Sequence, residues 1–154
     1  MNNKWQAHVT VAVIVEREGK FLLVEEETLA SHLDVYNQPA GHVEQGETLI
    51  EAAKREALEE TGWDVEPTAL LGIYTYTPEH TPETTYYRVC FIAKALHHYE
   101  RPLDEDIIRA VWIGLEELEA SQRARSPLVI QCLKDYQKGQ SFPLSAIYEH
   151  STSK

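Results

Sequence analysis

The chain has 154 residues, 43% hydrophobic and 25% charged, a balance that suits one domain with its own buried core. Its net charge of −11 argues against a surface for polymeric nucleic acid, which needs a basic patch. No apolar run is long enough to span a membrane, and the opening MNNKWQAH lacks the apolar stretch of a secretory signal, so the cytoplasm is the expected compartment.

Residues 8–15, HVTVAVIV, form a β-branched run and predict a strand buried on both faces. Glu18, Gly19 and Lys20 signal a turn into a second strand over 20–26, making a hairpin. Residues 28–36 are polar and mixed and read as a loop on the side of the site. Pro39 lacks a donor and holds Gln38 extended on the way to Gly41. Then comes GHVEQGETLIEAAKREALEETGW, residues 41–63. Thr48 and Glu51 make a T-x-x-E capping box. Gly62 supplies the positive φ wanted just past a helix end. Residues 64–77 predict a strand with Gly72 as a possible bulge. A loop over 78–83 leads to a long strand over 84–96, with Tyr87, Val89, Phe91 and Ala93 on one face. A polar loop over 97–106, a short strand over 107–113 and a short helix over 115–120 follow. Ser126 and Pro127 predict the start of a helix running to about Lys138 and stopping at Gly139. The last four residues, STSK, read as a frayed end. Cys90 and Cys132 sit among apolar residues and read as buried free thiols of a reduced compartment.

The chemistry gathers on the helix over 49–61. At about 100° per residue, Leu49, Ala53, Glu56 and Glu60 fall on one line, with Glu59 beside them. Glu56 and Glu60 thus continue the apolar stripe instead of the outward face. Carboxylates so placed are costly unless paired or bound to a cation, and like charges raise one another's pKa. A hard divalent cation with oxygen ligands, Mg²⁺ or Mn²⁺, relieves both problems. The plainer alternative is a solvated acidic helix face.

The spacing G-x5-E-x7-R-E-U-x-E-E-x-G-U is met by Gly41, Glu47, Arg55, Glu56, Glu59, Glu60 and Gly62. In this the chain resembles the Nudix hydrolases. Ala57 and Trp63 stand at the two positions normally held by bulky aliphatics. The resemblance covers about residues 7–136, leaving 137–154 as a C-terminal tail. It implies an α/β fold, an α/β/α sandwich with a mixed β-sheet, a central box helix and C-terminal helices. NQPAGH at 37–42, RSPL at 125–128 and YQKGQ at 136–140 look closest to the NudJ-type phosphatase branch. That branch acts on nucleoside di- and triphosphates and on the diphosphate of the thiamine pyrimidine precursor.

The resemblance also implies roles. Glu56 and Glu60 would be metal ligands, Glu59 a ligand or the base that activates water, and the Gly41 carbonyl a further ligand. Arg55 would orient the loop through Glu47; an ordinary surface ion pair with Glu51 or Glu59 is its alternative. A further carboxylate from a late loop is common in the family. Asp104, Glu105 and Asp106 are the candidates, Glu105 foremost, with Glu79 and Glu83 as outliers and a solvated acidic loop as the alternative. For the substrate, Tyr74 and Tyr76 are candidates to stack on a ring, with Tyr86 and Tyr87 beside them, against core packing. Arg88 is a candidate to meet a phosphate, against a rim ion pair. Gln38 and Asn37 are candidates for a base edge, against shaping the turn. His97 and His98 point apart on a strand and make a poor chelating pair.

The expected protein is a Mg²⁺-dependent pyrophosphohydrolase or phosphatase of small phosphorylated substrates, monomeric or homodimeric, with direct attack of water on phosphorus. A nucleoside-diphosphate-sugar or dinucleotide hydrolase is the enzymatic rival. A nucleotide sensor that keeps the fold without turnover is the rival of another class.

Overall fold

The computed structural model describes residues 4–28 and 33–150. The predicted frayed end at 151–154 and the middle of the predicted loop, 29–32, lie outside the described residues. In chain order come β1 (Gln6–Ile14), β2 (Glu16–Arg17), β3 (Lys20–Glu26), β4 (Val35–Asn37) and β5 (Ala40–His42). Then follow α1 (Leu49–Thr61), β6 (Trp63–Tyr76), β7 (Thr84–His98), β8 (Ile107–Ile113), α2 (Leu115–Ser121) and α3 (Pro127–Gln137), with a 3-10 turn at Leu144–Ala146.

The first sheet runs β5-β1-β7-β6 and is mixed: β1 and β7 are parallel, while β5 and β6 pair antiparallel with β1 and β7. A second, antiparallel sheet is built around β3, which pairs with β2, β4 and β8. The hairpin into β3 turns through Glu18 at φ 53° and Gly19 at φ 81°, the two left-handed residues that a two-residue turn requires to match strand twist. The register of β6 slips between Leu70 and Gly72, the bulge expected there.

Alternation along β1 divides the core in two. Ala12 and Ile14 face one side, with Leu71, Cys90 and the α3 residues Val129, Cys132 and Leu133. Val11 and Val13 face the other, with Phe91 and the α1 residues Ala52, Ala53 and Ala57. The mixed sheet therefore lies between α1 and the α2–α3 pair, the predicted α/β sandwich. Three buried alanines bring α1 close to the sheet, so the small Ala57 fits where a bulky residue was expected.

Three expectations need correction. The first half of β1 is not buried, and Val9 is 46% exposed. The predicted loop over 28–36 gives way to strand at Val35, where Val35–Asn37 pairs with β3. β7 runs on through His98 instead of ending at Leu96. Beyond α3 the chain returns to the domain. Phe142 and Leu70 exchange backbone hydrogen bonds of 2.8 Å each, and Leu144 and Ile147 pack on the α1 side of the core.

Candidate active site

Both ends of α1 are pinned. At its start the Thr48 hydroxyl accepts from the Glu51 amide at 3.1 Å, and the Glu51 carboxylate accepts from the Thr48 amide at 2.8 Å. The Glu149 carboxylate, from the far end of the chain, accepts from the Leu49 amide at 2.8 and 3.1 Å. At its end Gly62 is left-handed at φ 78° and donates to the Leu58 carbonyl at 2.9 Å. These caps set the height at which the carboxylates of the last two turns stand.

Glu60 is buried, and its Oε1 accepts from the Ala40 amide at 2.9 Å. Burial pushes its carboxyl up to about 9, helped by the charges of Glu26, Glu56 and Asp106; the Ala40 bond opposes this only in part. Glu56 is raised by burial too, against the pull of Arg55 and with the repulsion of Glu59 and Asp104. Asp104 is raised by burial and by Glu59 and Asp106. Oxygens of Glu56, Glu60 and Asp104 lie within 4.8 Å of one another. Three carboxyls this close, each resisting ionisation, are a hard-donor set suited to a divalent cation. Gly41 belongs to the same arrangement: a Cβ there would overlap the Glu56 carboxylate. Glycine leaves the Glu56 carboxylate its space here and is not needed for a left-handed backbone.

Arg55 ties this cluster to the preceding loop. Its Nε and a terminal nitrogen donate to Glu47 at 2.6 and 3.0 Å, and that nitrogen also donates to the His42 carbonyl at 3.0 Å. The other nitrogen donates to Glu56 at 2.7 Å and Glu59 at 2.9 Å. Arg55 in turn holds the Glu47 carboxyl below its usual range. Of the two partners considered for a surface pair, Glu59 is engaged by Arg55 and Glu51 closes the helix cap.

The late-loop acids divide. The Asp104 amide donates to the Glu59 carbonyl at 3.1 Å, which brings its side chain to the helix end. Glu105, the foremost candidate in the sequence, is exposed and stands outside the carboxylate trio. The deciding bond is made by backbone, so no residue pattern announces it. Glu79 and Glu83 are exposed between β6 and β7.

Gln38 does not open to a cleft. It is fully buried, donating to the Val13 carbonyl and the Cys90 sulfur at 3.3 Å each and accepting from Arg88 at 2.8 Å. Arg88 is also buried and makes no rim ion pair; its other nitrogen donates to Asn37 at 3.3 Å and its Nε has no partner. Tyr74 donates to Asp135 at 2.9 Å. Tyr76 lines an open cavity of about 450 Å³ with Arg125, Pro127 and Ile130. Tyr86 packs with His8 and His42 and Tyr87 with Trp5. His98 packs on Trp63 while His97 packs on Tyr99, so the two histidines part as expected. A larger cavity of about 630 Å³ opens near Glu16 and Tyr136 and is lined by none of the box acids.

Sequence reading missed a second charged cluster. Glu25 accepts from Arg109 at 2.8 Å and from Arg123 at 2.5 Å, and Glu26 accepts from Arg125 at 2.5 Å. Glu25 and Glu26 close a predicted strand and passed as its polar end; two buried acids side by side were the available signal.

The carboxylate trio on a capped helix, set against a mixed sheet, defines a phosphoric-anhydride hydrolase of the Nudix class. A family model described as NUDIX domain matches residues 6–131, and the chain belongs to that family. It is 41% identical over 145 residues to phosphatase NudJ of Escherichia coli strain K12, covering 93% of this chain and 92% of that protein. A NUDIX hydrolase structure from Nitrosomonas europaea matches with a TM-score of 0.90 and 41% identity, over 96% of this chain and 100% of that one. A MutT NUDIX hydrolase from Burkholderia pseudomallei shares the fold, with a TM-score of 0.70 and 21% identity over 84% of this chain and 98% of that one. Among the described residues no helix is long and apolar enough to cross a membrane.

Proposed function

We propose that this Nudix hydrolase acts, with Mg²⁺ or Mn²⁺, on small nucleoside di- or triphosphates or a related small diphosphate, by direct attack of water on phosphorus. The observation that carries this is the convergence of Glu56, Glu60 and Asp104 oxygens within 4.8 Å. These residues, with the Gly41 carbonyl, would hold the cation. A divalent ion there supplies neutralisation of phosphate oxygens and a more acidic water. Glu59 stands at the rim of the trio as acceptor for the water's proton, and Arg55 keeps Glu59 and Glu56 aimed. A covalent route finds no support from the two cysteines, since both are buried. Similarity to a protein named phosphatase supports release of orthophosphate.

A substrate panel assayed with Mg²⁺, reading orthophosphate, pyrophosphate and nucleoside monophosphate, tests the proposal. Orthophosphate or pyrophosphate from nucleotides is expected. Nucleoside monophosphate from sugar nucleotides alone would favour the rival enzyme, and no turnover across the panel would favour a sensor.

A further inference from the structure

Two histidine side chains take no part in the chemistry above, yet their ring nitrogens meet. His8 on β1 and His42 on β5 lie on strands that pair antiparallel, with Thr10 opposite His42. His8 stands two residues from Thr10 and so shares its face of the sheet. There His8 Nδ1 lies 2.9 Å from His42 Nε2, with the rings inclined at 66°. The Tyr86 ring, centred 5.3 Å from that of His8, walls one side. Gly41 turns the other face of β5 toward Glu56. The imidazole pair is therefore a donor set apart from the carboxylate trio.

The donors differ in kind as well as in place. Imidazole nitrogen suits Zn²⁺, Ni²⁺ and Cu²⁺, whereas carboxylate oxygen suits Mg²⁺ and Mn²⁺. The spacing chooses among the first group. Two bonds of about 2.0–2.1 Å that meet at a right angle set their nitrogens about 2.9 Å apart, while a tetrahedral angle needs about 3.4 Å. The observed 2.9 Å fits the right angle of a square-planar or tetragonal centre, the geometry of Cu²⁺ and Ni²⁺. Without an ion, the same nitrogens share one proton as a hydrogen bond. His8 has a second place for that proton, since Gln6 Oε1 lies 3.4 Å from His8 Nε2. A carbonyl acceptor on the outer ring nitrogen is the common arrangement for a metal-bound histidine, because it fixes the tautomer that leaves the inner nitrogen free.

We propose that His8 and His42 form a transition-metal site, separate from the box, that takes one Cu²⁺ or Ni²⁺ on His8 Nδ1 and His42 Nε2, with water completing the shell. The ion replaces the hydrogen bond between the rings, and the shared proton passes to the outer nitrogen of the ring that held it. His42 is exposed, so the ion enters from solvent. The His42 carbonyl accepts from Arg55 at 3.0 Å, and an ion on the pair ties β5 to β1 beside that contact.

Titration of the full chain with Cu²⁺ in saturating Mg²⁺, which occupies the oxygen donors, tests the site by electron paramagnetic resonance. One equivalent should bind with splitting from two nitrogens. His8→Ala and His42→Ala should each weaken that equivalent at least about tenfold, since losing a ligand costs no less than losing its outer partner. His97→Ala should leave it unchanged. Metal-free thermal melts report whether the variants fold. A spectrum of oxygen donors or of one nitrogen alone, or a two-nitrogen spectrum that survives both His8→Ala and His42→Ala, would overturn the site.

Discussion

Gly41 faces Glu56 with no room for a methyl group between them. Gly41→Ala should push the flexible Glu56 carboxylate aside without breaking the strand, because the position does not need a left-handed backbone. Turnover should fall by roughly one to two orders of magnitude, as for other losses of ligand orientation, while the melting point moves little. A parallel loss of stability would mean Gly41 matters to the fold instead. At the late loop, Asp104→Asn should slow turnover about 10- to 100-fold and Glu105→Gln should do much less; the reverse order would return the role to Glu105. For Glu60 the sign of the pH effect follows from its raised carboxyl. Between its ordinary value of 4.5 and about 9, the folded chain keeps a proton that the unfolded chain has released. Stability in EDTA should therefore fall as pH rises through that window, and Mg²⁺ should flatten the fall. Melting curves at pH 6 and pH 9 with and without Mg²⁺ would reveal it, and a flat metal-free profile would count against a buried Glu60. Glu25 and Glu47, held low by their arginines, act only below the ordinary range and do not mask it.

Among the elements, α1 was legible down to its caps, because a capping box and a terminal glycine are local signals. Thr48→Ala should cost about 1 kcal/mol, measured by denaturant unfolding; an unaltered midpoint would mean the Glu149 contact alone holds the first turn. The strands of 7 or more residues were legible from alternation and β-branching. The strands of 3 residues were not, since three residues cannot display a period. The same limit explains the site. Glu56 and Glu60 could be placed on one line from helical spacing alone. Asp104 could not, because its approach depends on a backbone bond to Glu59 across 45 positions of chain. Gln38 and Arg88 were read as candidates for the substrate because each is polar; their burial goes with side-chain bonds from Arg88 on β7 to Gln38 and Asn37, which no single segment contains.

At the scale of the whole molecule, the box stands where three things meet: the β5 edge of the mixed sheet, the Glu26 end of β3 and the loop before β8. No one segment owns it, although one helix motif is enough to mark the family. The returning C-terminal segment extends that dispersal. Leu70 holds Phe142, the core holds Ile147, and Glu149 reaches the first amide of the box helix. Glu149→Gln should lower stability by roughly 0.5–1 kcal/mol through a weakened helix start, read as a shift in the unfolding midpoint. A protease that clipped the chain just beyond Gly139 would remove no acid of the trio. It would nonetheless loosen the footing of the helix that carries two of them, so a digest that spares every box residue should still dull the enzyme.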